Sequence, residues 1–94
     1  MSLRFEWDAT KAAANVRKHS ISFEEAVTVF GDSQSITIYD ELHSDEEDRF
    51  IDIGMSESGR LLVVVYVERE NSIRIISCRQ AAYKEIIQYE SQSY

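Results

Sequence analysis

Residues 59–79 read G-R-L-L-V-V-V-Y-V-E-R-E-N-S-I-R-I-I-S-C-R, and the fold turns on them. Residues 61–67 and 73–76 are rich in β-branched side chains, which suit a pleated, half-buried surface. Glu70, Asn71 and Ser72 between them are turn chemistry, so the stretch reads as a hairpin of two adjacent strands. As the most apolar part of the chain it is the expected centre of a sheet. Charge gathers at the strand ends, with Glu68, Arg69 and Glu70 on one strand and Arg74 and Arg79 on the other. Such a hairpin can build a core and also present cations to phosphate.

Strand parity limits which of these charges converge. A two-residue turn at Asn71 and Ser72 sets Arg69 opposite Arg74 and places Glu68 on one face with Ser77 and Arg79. A turn of odd length instead sets Glu68 opposite Arg74 and puts Arg69 with Arg79. All four share a face only if a bulge or a frayed end intervenes. Cross-strand salt bridging on a solvated face is the plain alternative to a catalytic role.

The flanking segments complete an α+β plan. Residues 3–7 alternate apolar and polar, which reads as a short half-buried strand. Asp8 then caps a helix expected to begin near Ala9 and run to Lys18, and His19 and Ser20 end it. Ser22 with Glu25 forms a capping-box pattern opening a second helix, in which Phe23, Ala26, Val27 and Phe30 recur at core spacing and Gly31 is the stop. Residues 35–39 and 49–55 read as strands, the latter with Ile51, Ile53 and Met55 inward and Asp52 outward. Residues 57–59 turn into the central hairpin, and residues 80–90 form a closing helix. The predicted order is β-α-α-β-β-β-β-α, a mostly antiparallel sheet with helices on one face, in a single domain spanning residues 1–94.

Composition narrows the class. The chain is 44% hydrophobic and 29% charged, which fits a folded domain, and no apolar run is long enough to span a membrane. No secretory signal pattern opens it, and a lone Cys78 makes neither an internal disulfide nor a four-cysteine metal site. A reducing cytoplasm is the expected home. The net charge of −7 argues against indiscriminate nucleic-acid binding, yet it is uneven. Six of the nine residues 40–48 are Asp or Glu, whereas residues 60–79 hold four arginines.

No metal signature is present, since His19 and His43 are far apart and neither sits in a ligand spacing. No cofactor is expected. Cys78 reads as a small buried apolar residue and His43 as half of a loop salt bridge. Trp7 and Phe5 read as core, because they alternate inward on a strand. What remains is acid–base chemistry with phosphate stabilisation, the needs of RNA cleavage by its own 2′-hydroxyl. Arginine suits the phosphate because its planar fork grips two oxygens at once. Lys18 and His19 are either RNA contacts or a basic last turn complementing the helix dipole.

Taken together, several segments resemble the BrnT family of type II toxins. They are F-E-W-D at residues 5–8, Lys11-Ala12 with Asn15, and K-H-S-I-S-F-E-E-A at residues 18–26. Further on come Val29-Phe30, Asp32, D-x-x-H-S at residues 40–44, I-G-M-S at residues 53–56 and G-R-L-L-V-V-V-Y at residues 59–66. Glu68-Arg69, I-R-I-I-S-C-R at residues 73–79 and Tyr89-Glu90 complete a match running nearly the whole chain in order. The resemblance implies a RelE-like fold and a ribonuclease toxin that inhibits translation. It also implies a BrnA-like antitoxin with a ribbon-helix-helix part, whose complex with the toxin would repress its own operon. The implied catalytic residues are Glu68, Arg69 and Arg79, with Arg74, Lys18 and His19 as RNA contacts. Two positions depart from the family pattern: Ser20 stands where glycine is usual, and Cys78 where alanine is usual. An alternative reading is an inactive toxin-like module that docks a basic, DNA-binding antitoxin through residues 40–48.

Overall fold

The computed structural model describes residues 3–92. Its elements are β1 (Phe5–Glu6), α1 (Ala9–His19), α2 (Phe23–Thr28), β2 (Ile36–Tyr39), β3 (Arg49–Met55), β4 (Leu61–Glu68), β5 (Ile73–Gln80) and α3 (Tyr83–Ser91). Short 3-10 turns at Val29–Gly31 and Glu41–His43 join them. The predicted order of elements therefore stands. The sheet order is β1-β5-β4-β3-β2, so β4 is central, with β5 and β3 beside it. Three neighbouring pairs are antiparallel, but β1 lies parallel to β5, with Phe5 beside Ile73 and Glu6 beside Arg74. The sheet is thus mixed, because α1 and α2 carry the chain away from β1 before the meander begins.

The helix starts follow the capping residues. Asp8 Oδ2 accepts the Lys11 N–H at 2.9 Å, and Ser22 Oγ accepts that of Glu25 at 3.0 Å. Ser20 closes α1 in the left-handed region, at φ 59° and ψ 35°, with its N–H on the Val16 carbonyl. A side chain there is strained by its Cβ, so serine keeps the backbone shape that glycine adopts freely.

One apolar cluster fills the space between the helices and the sheet. Ile21, Phe23, Ala26 and Val29 pack on Leu62, Val64 and Tyr66 of β4 and on Ile73, Ile75 and Cys78 of β5. Phe5, Phe30, Tyr66, Phe50 and Tyr39 form a chain of ring contacts across it, with centroids 4.9–5.7 Å apart. Trp7 meets Phe23 edge-on at 5.9 Å. Phe5 and Trp7 therefore serve the core. Helix α3 packs against β3, not in this cluster, and Tyr89 Oη ties it to Asp32 at 2.6 Å.

Strand β3 corrects one expectation. Asp52, predicted outward, is buried and accepts the Tyr66 hydroxyl at 2.9 Å, while Met55, predicted inward, is 38% exposed. The Asp52-Val64 and Phe50-Tyr66 pairs place Asp52 and Phe50 on the face that packs under the helices. Ile53, predicted inward, is buried as expected, so both faces of β3 are covered in its middle, which simple alternation does not anticipate.

Candidate active site

The central hairpin has a two-residue turn, as one predicted register does, but set one residue earlier. Glu68 pairs with Ile73 and Val67 with Arg74, and the Arg69 N–H donates to the Ser72 carbonyl at 2.9 Å, so Glu70 and Asn71 form the turn. Farther along, Val65 pairs with Ser77 and Val63 with Arg79, which leaves Ile76 as the extra residue of a bulge. Arg74 and Arg79, five residues apart, would face opposite ways on a regular strand. The bulge restores them to one face, that of Val63 and Val67.

Glu68 falls on the other face, with Asp52 and Tyr66. Burial pushes the Asp52 carboxyl up, hydrogen bonds from Thr37 and Tyr66 oppose this, and the charge of Glu68 adds to the rise. Burial likewise raises the Tyr66 phenol, helped by Asp52 and Glu68. Glu68 and Arg69 nonetheless line one shallow depression at the turn, with Leu3, Ser72 and Ile73.

Two arginines converge at that end of the hairpin. Arg69 Nη1 lies 3.2 Å from Glu6 Oε2, and Arg74 Nη1 lies 3.9 Å from the same oxygen. Arg69 Nε also meets Glu47 Oε2 at 2.9 Å. Glu6 thus sits between two guanidinium groups, a residue that sequence reasoning missed. Its signal was available: Phe5 and Trp7 point inward, so Glu6 must point out, beside whichever strand takes β1. Arg49 was missed as well. It pairs with Val67, which pairs with Arg74, so Arg49 and Arg74 flank Val67 in one row on one face. Its Nε is enclosed without a hydrogen-bond partner.

Arg79 stands apart from this group. Its partner Val63 is five residues from Glu68 on β4, a separation of about 17 Å at strand rise. Its guanidinium is held by both oxygens of Glu85, at 2.8 and 2.7 Å. The Glu85 carboxylate also accepts the Ala82 N–H at 2.7 Å and so caps α3. The hydrogen bonds from Arg79 lower the Glu85 pKa, against some desolvation, with the Ala82 amide adding to the effect.

Lys18 and His19 lie at the end of α1, where they line a hollow with Lys11, Ala14, Ile76 and Ser77. They are remote in sequence from the hairpin turn but share β5 with it. Cys78 is fully buried, and burial pushes its thiol up to about 12, with the charge of Glu25 adding to the rise. Such a thiol is no nucleophile at neutral pH. His43 Nδ1 meets Asp40 Oδ2 at 2.9 Å within the acidic loop. Among the described residues, no three His, Cys, Asp or Glu side chains converge as metal ligands would, and no helix is long and apolar enough to cross a membrane.

Glu6 between two guanidinium groups, with Glu68 at the same hairpin end, brings together carboxylates and cations of the kinds that phosphodiester cleavage uses. No curated protein sequence matches the chain. A crystal structure at 1.1 Å of the Brucella abortus ribonuclease toxin, BrnT, superposes with a TM-score of 0.68 at 19% identity, covering 86% of this chain and 99% of that one. That likeness establishes the fold. The family model described as the ribonuclease toxin BrnT of type II toxin–antitoxin systems matches residues 7–85. With most of its length inside that match, the chain belongs to the BrnT family of ribonuclease toxins.

Proposed function

We propose that this chain is a cytoplasmic endoribonuclease that inhibits translation by cutting RNA with its own side chains, without a metal ion. A BrnA-like antitoxin with a ribbon-helix-helix part would neutralise it, and the complex would reach DNA only through that partner. Family membership over residues 7–85 is the observation that carries the reading. The hairpin end supplies a chemistry for it. Glu68, which borders the same depression as Arg69 at the end of the strand although its position on β4 faces away from Arg74, takes the proton of a 2′-hydroxyl. The freed oxygen attacks the adjacent phosphorus, and the 5′-oxygen leaves and is protonated by water, giving a 2′,3′-cyclic phosphate. Arg69 and Arg74 balance the charge that builds on the non-bridging oxygens. Glu6, between them, is a positioning residue that holds both guanidinium groups ready.

A second reading has one observation in its favour. Arg69, Arg74 and Arg79 each already face a carboxylate, as a purely structural set of arginines would. The chain would then be an inactive module that only docks its antitoxin. Expression in a bacterium lacking the antitoxin separates the two. Growth should stop with the wild type and resume with Arg69→Ala plus Arg74→Ala; unimpeded growth with soluble wild-type protein would favour the docking module.

A further inference from the structure

In a chain of net charge −7, α1 is a basic element. It carries Lys11, Arg17 and Lys18 and no carboxylate of its own. None of these three cations takes part in an ion pair among the described residues, in contrast to Arg60, Arg69, Arg74 and Arg79. Among these cations, those of the helix are therefore unneutralised, whereas those of the hairpin are already paired with carboxylates.

Its placement is fixed by Asn15. That side chain is buried and bonds both the N–H and the carbonyl of Cys78, at 3.1 and 2.8 Å, clamping α1 along the outer edge of β5. Lys11 lies one turn before Asn15 and Lys18 almost one turn after, so both fall on the stripe flanking the clamp. They are about 10 Å apart along the axis. With His19 and Ser77 they line a hollow beside the bulge, where β1 no longer covers β5. Arg17 projects from the opposite side of the helix. The acidic loop is rooted between β2 and β3 and reaches the hairpin end through Glu47, but none of its residues lines this hollow. Charges farther than about 10 Å are largely screened at ordinary salt, so the local sign governs a phosphate close to the groove.

We infer that the groove between α1 and the bulged edge of β5, with Lys11, Lys18, His19 and Ser77, seats the phosphate backbone of single-stranded RNA on its way to the hairpin site. The inference rests on the RNA-cleaving reading and deepens it. Strand β5 joins the two places: Arg74 is three residues from Ser77, about 10 Å at strand rise. An extended single strand can therefore lie along this edge, held by cations that read charge and not sequence.

The test uses a random-sequence 2′-O-methyl RNA, which cannot be cut by its own 2′-oxygen, and the full chain. Binding is followed by fluorescence anisotropy across salt concentrations. Lys11→Glu plus Lys18→Glu should weaken binding at least about tenfold, and Lys11→Gln plus Lys18→Gln should lower the slope of log affinity on log salt by about 1.4, at 0.7 per lost phosphate contact. Arg17→Glu should change affinity less than about threefold, since it alters the same helix away from the groove. Equal losses from reversal at Arg17 and from the Lys pair would overturn the groove while leaving RNA cleavage standing. Wild-type protein that neither binds this RNA nor cuts ordinary RNA would overturn both.

Discussion

Asn15 completes the sheet edge at Cys78: its Oδ1 accepts the Cys78 N–H, and its Nδ2 donates to the Cys78 carbonyl and to that of Ile21. One amide thus satisfies three backbone groups where a neighbouring strand would otherwise be needed. Asn15→Ala should lower unfolding free energy by about 2–4 kcal/mol, because several buried groups lose partners at once. Urea denaturation measures it, and a loss below about 0.5 kcal/mol, the range of ordinary surface changes, would contradict the clamp.

Ser20 makes a prediction of the opposite sign. Its φ of 59° is strained for any residue with a Cβ. Ser20→Gly should stabilise the protein by about 0.5–1 kcal/mol, with relief of strain exceeding the added freedom of the unfolded chain. The thermal midpoint should rise. A fall would mean that the serine makes an unrecognised contribution.

Much of this architecture is readable in residue order. Asp8 and Ser22 announce their helices because a short side-chain acceptor has one favoured use there, and the continuous β-branched run of residues 61–67 announces β4. Three things are not readable. The turn at Glu70 and Asn71 gives no strong glycine signal, so register stayed open between neighbouring choices, and a single-residue slip exchanges faces. The bulge at Ile76 has no compositional mark at all. Asp52 looks like a solvent-facing carboxylate until the strand that shelters it is known. The candidate site suffers most from these, since register alone decides that Arg69 and Arg74 meet at Glu6 and that Arg79 does not.

Glu25 governs the acid limit of stability. The hydrogen bond from Arg60, against some desolvation and with help from Ser58 and Ser56, lowers its pKa from 4.5 to about 2. A carboxylate with a depressed folded pKa stabilises the fold above its unfolded value, and that contribution is lost as pH falls from about 4.5 towards 2. Glu25→Gln should cost about 1–3 kcal/mol at pH 7. The gap between wild type and variant should narrow progressively between pH 5 and pH 2.5. A gap independent of pH would assign the loss to packing.

Arg79 and Glu85 are assigned to the anchoring of α3. Both are partly exposed, with side chains 44% and 22% accessible, so Arg79→Ala should cost no more than about 1 kcal/mol in stability. Its effect on RNA cleavage should stay below about threefold, because the residue lies far from Glu68 and Arg69. A loss of a hundredfold or more with the fold intact would return Arg79 to the reacting group.

Side chains at the hairpin turn, with no metal ion, should suffice to cut RNA. Purified protein is incubated with RNA in excess chelator, and the products are resolved by size and end group. Wild type should release fragments ending in 2′,3′-cyclic phosphate. Arg69→Ala plus Arg74→Ala should reduce the rate at least about a hundredfold, the loss expected for phosphate-stabilising donors. Cleavage at the wild-type rate by that variant would remove the hairpin arginines from the reaction, and cleavage abolished by the chelator alone would make it metal-dependent.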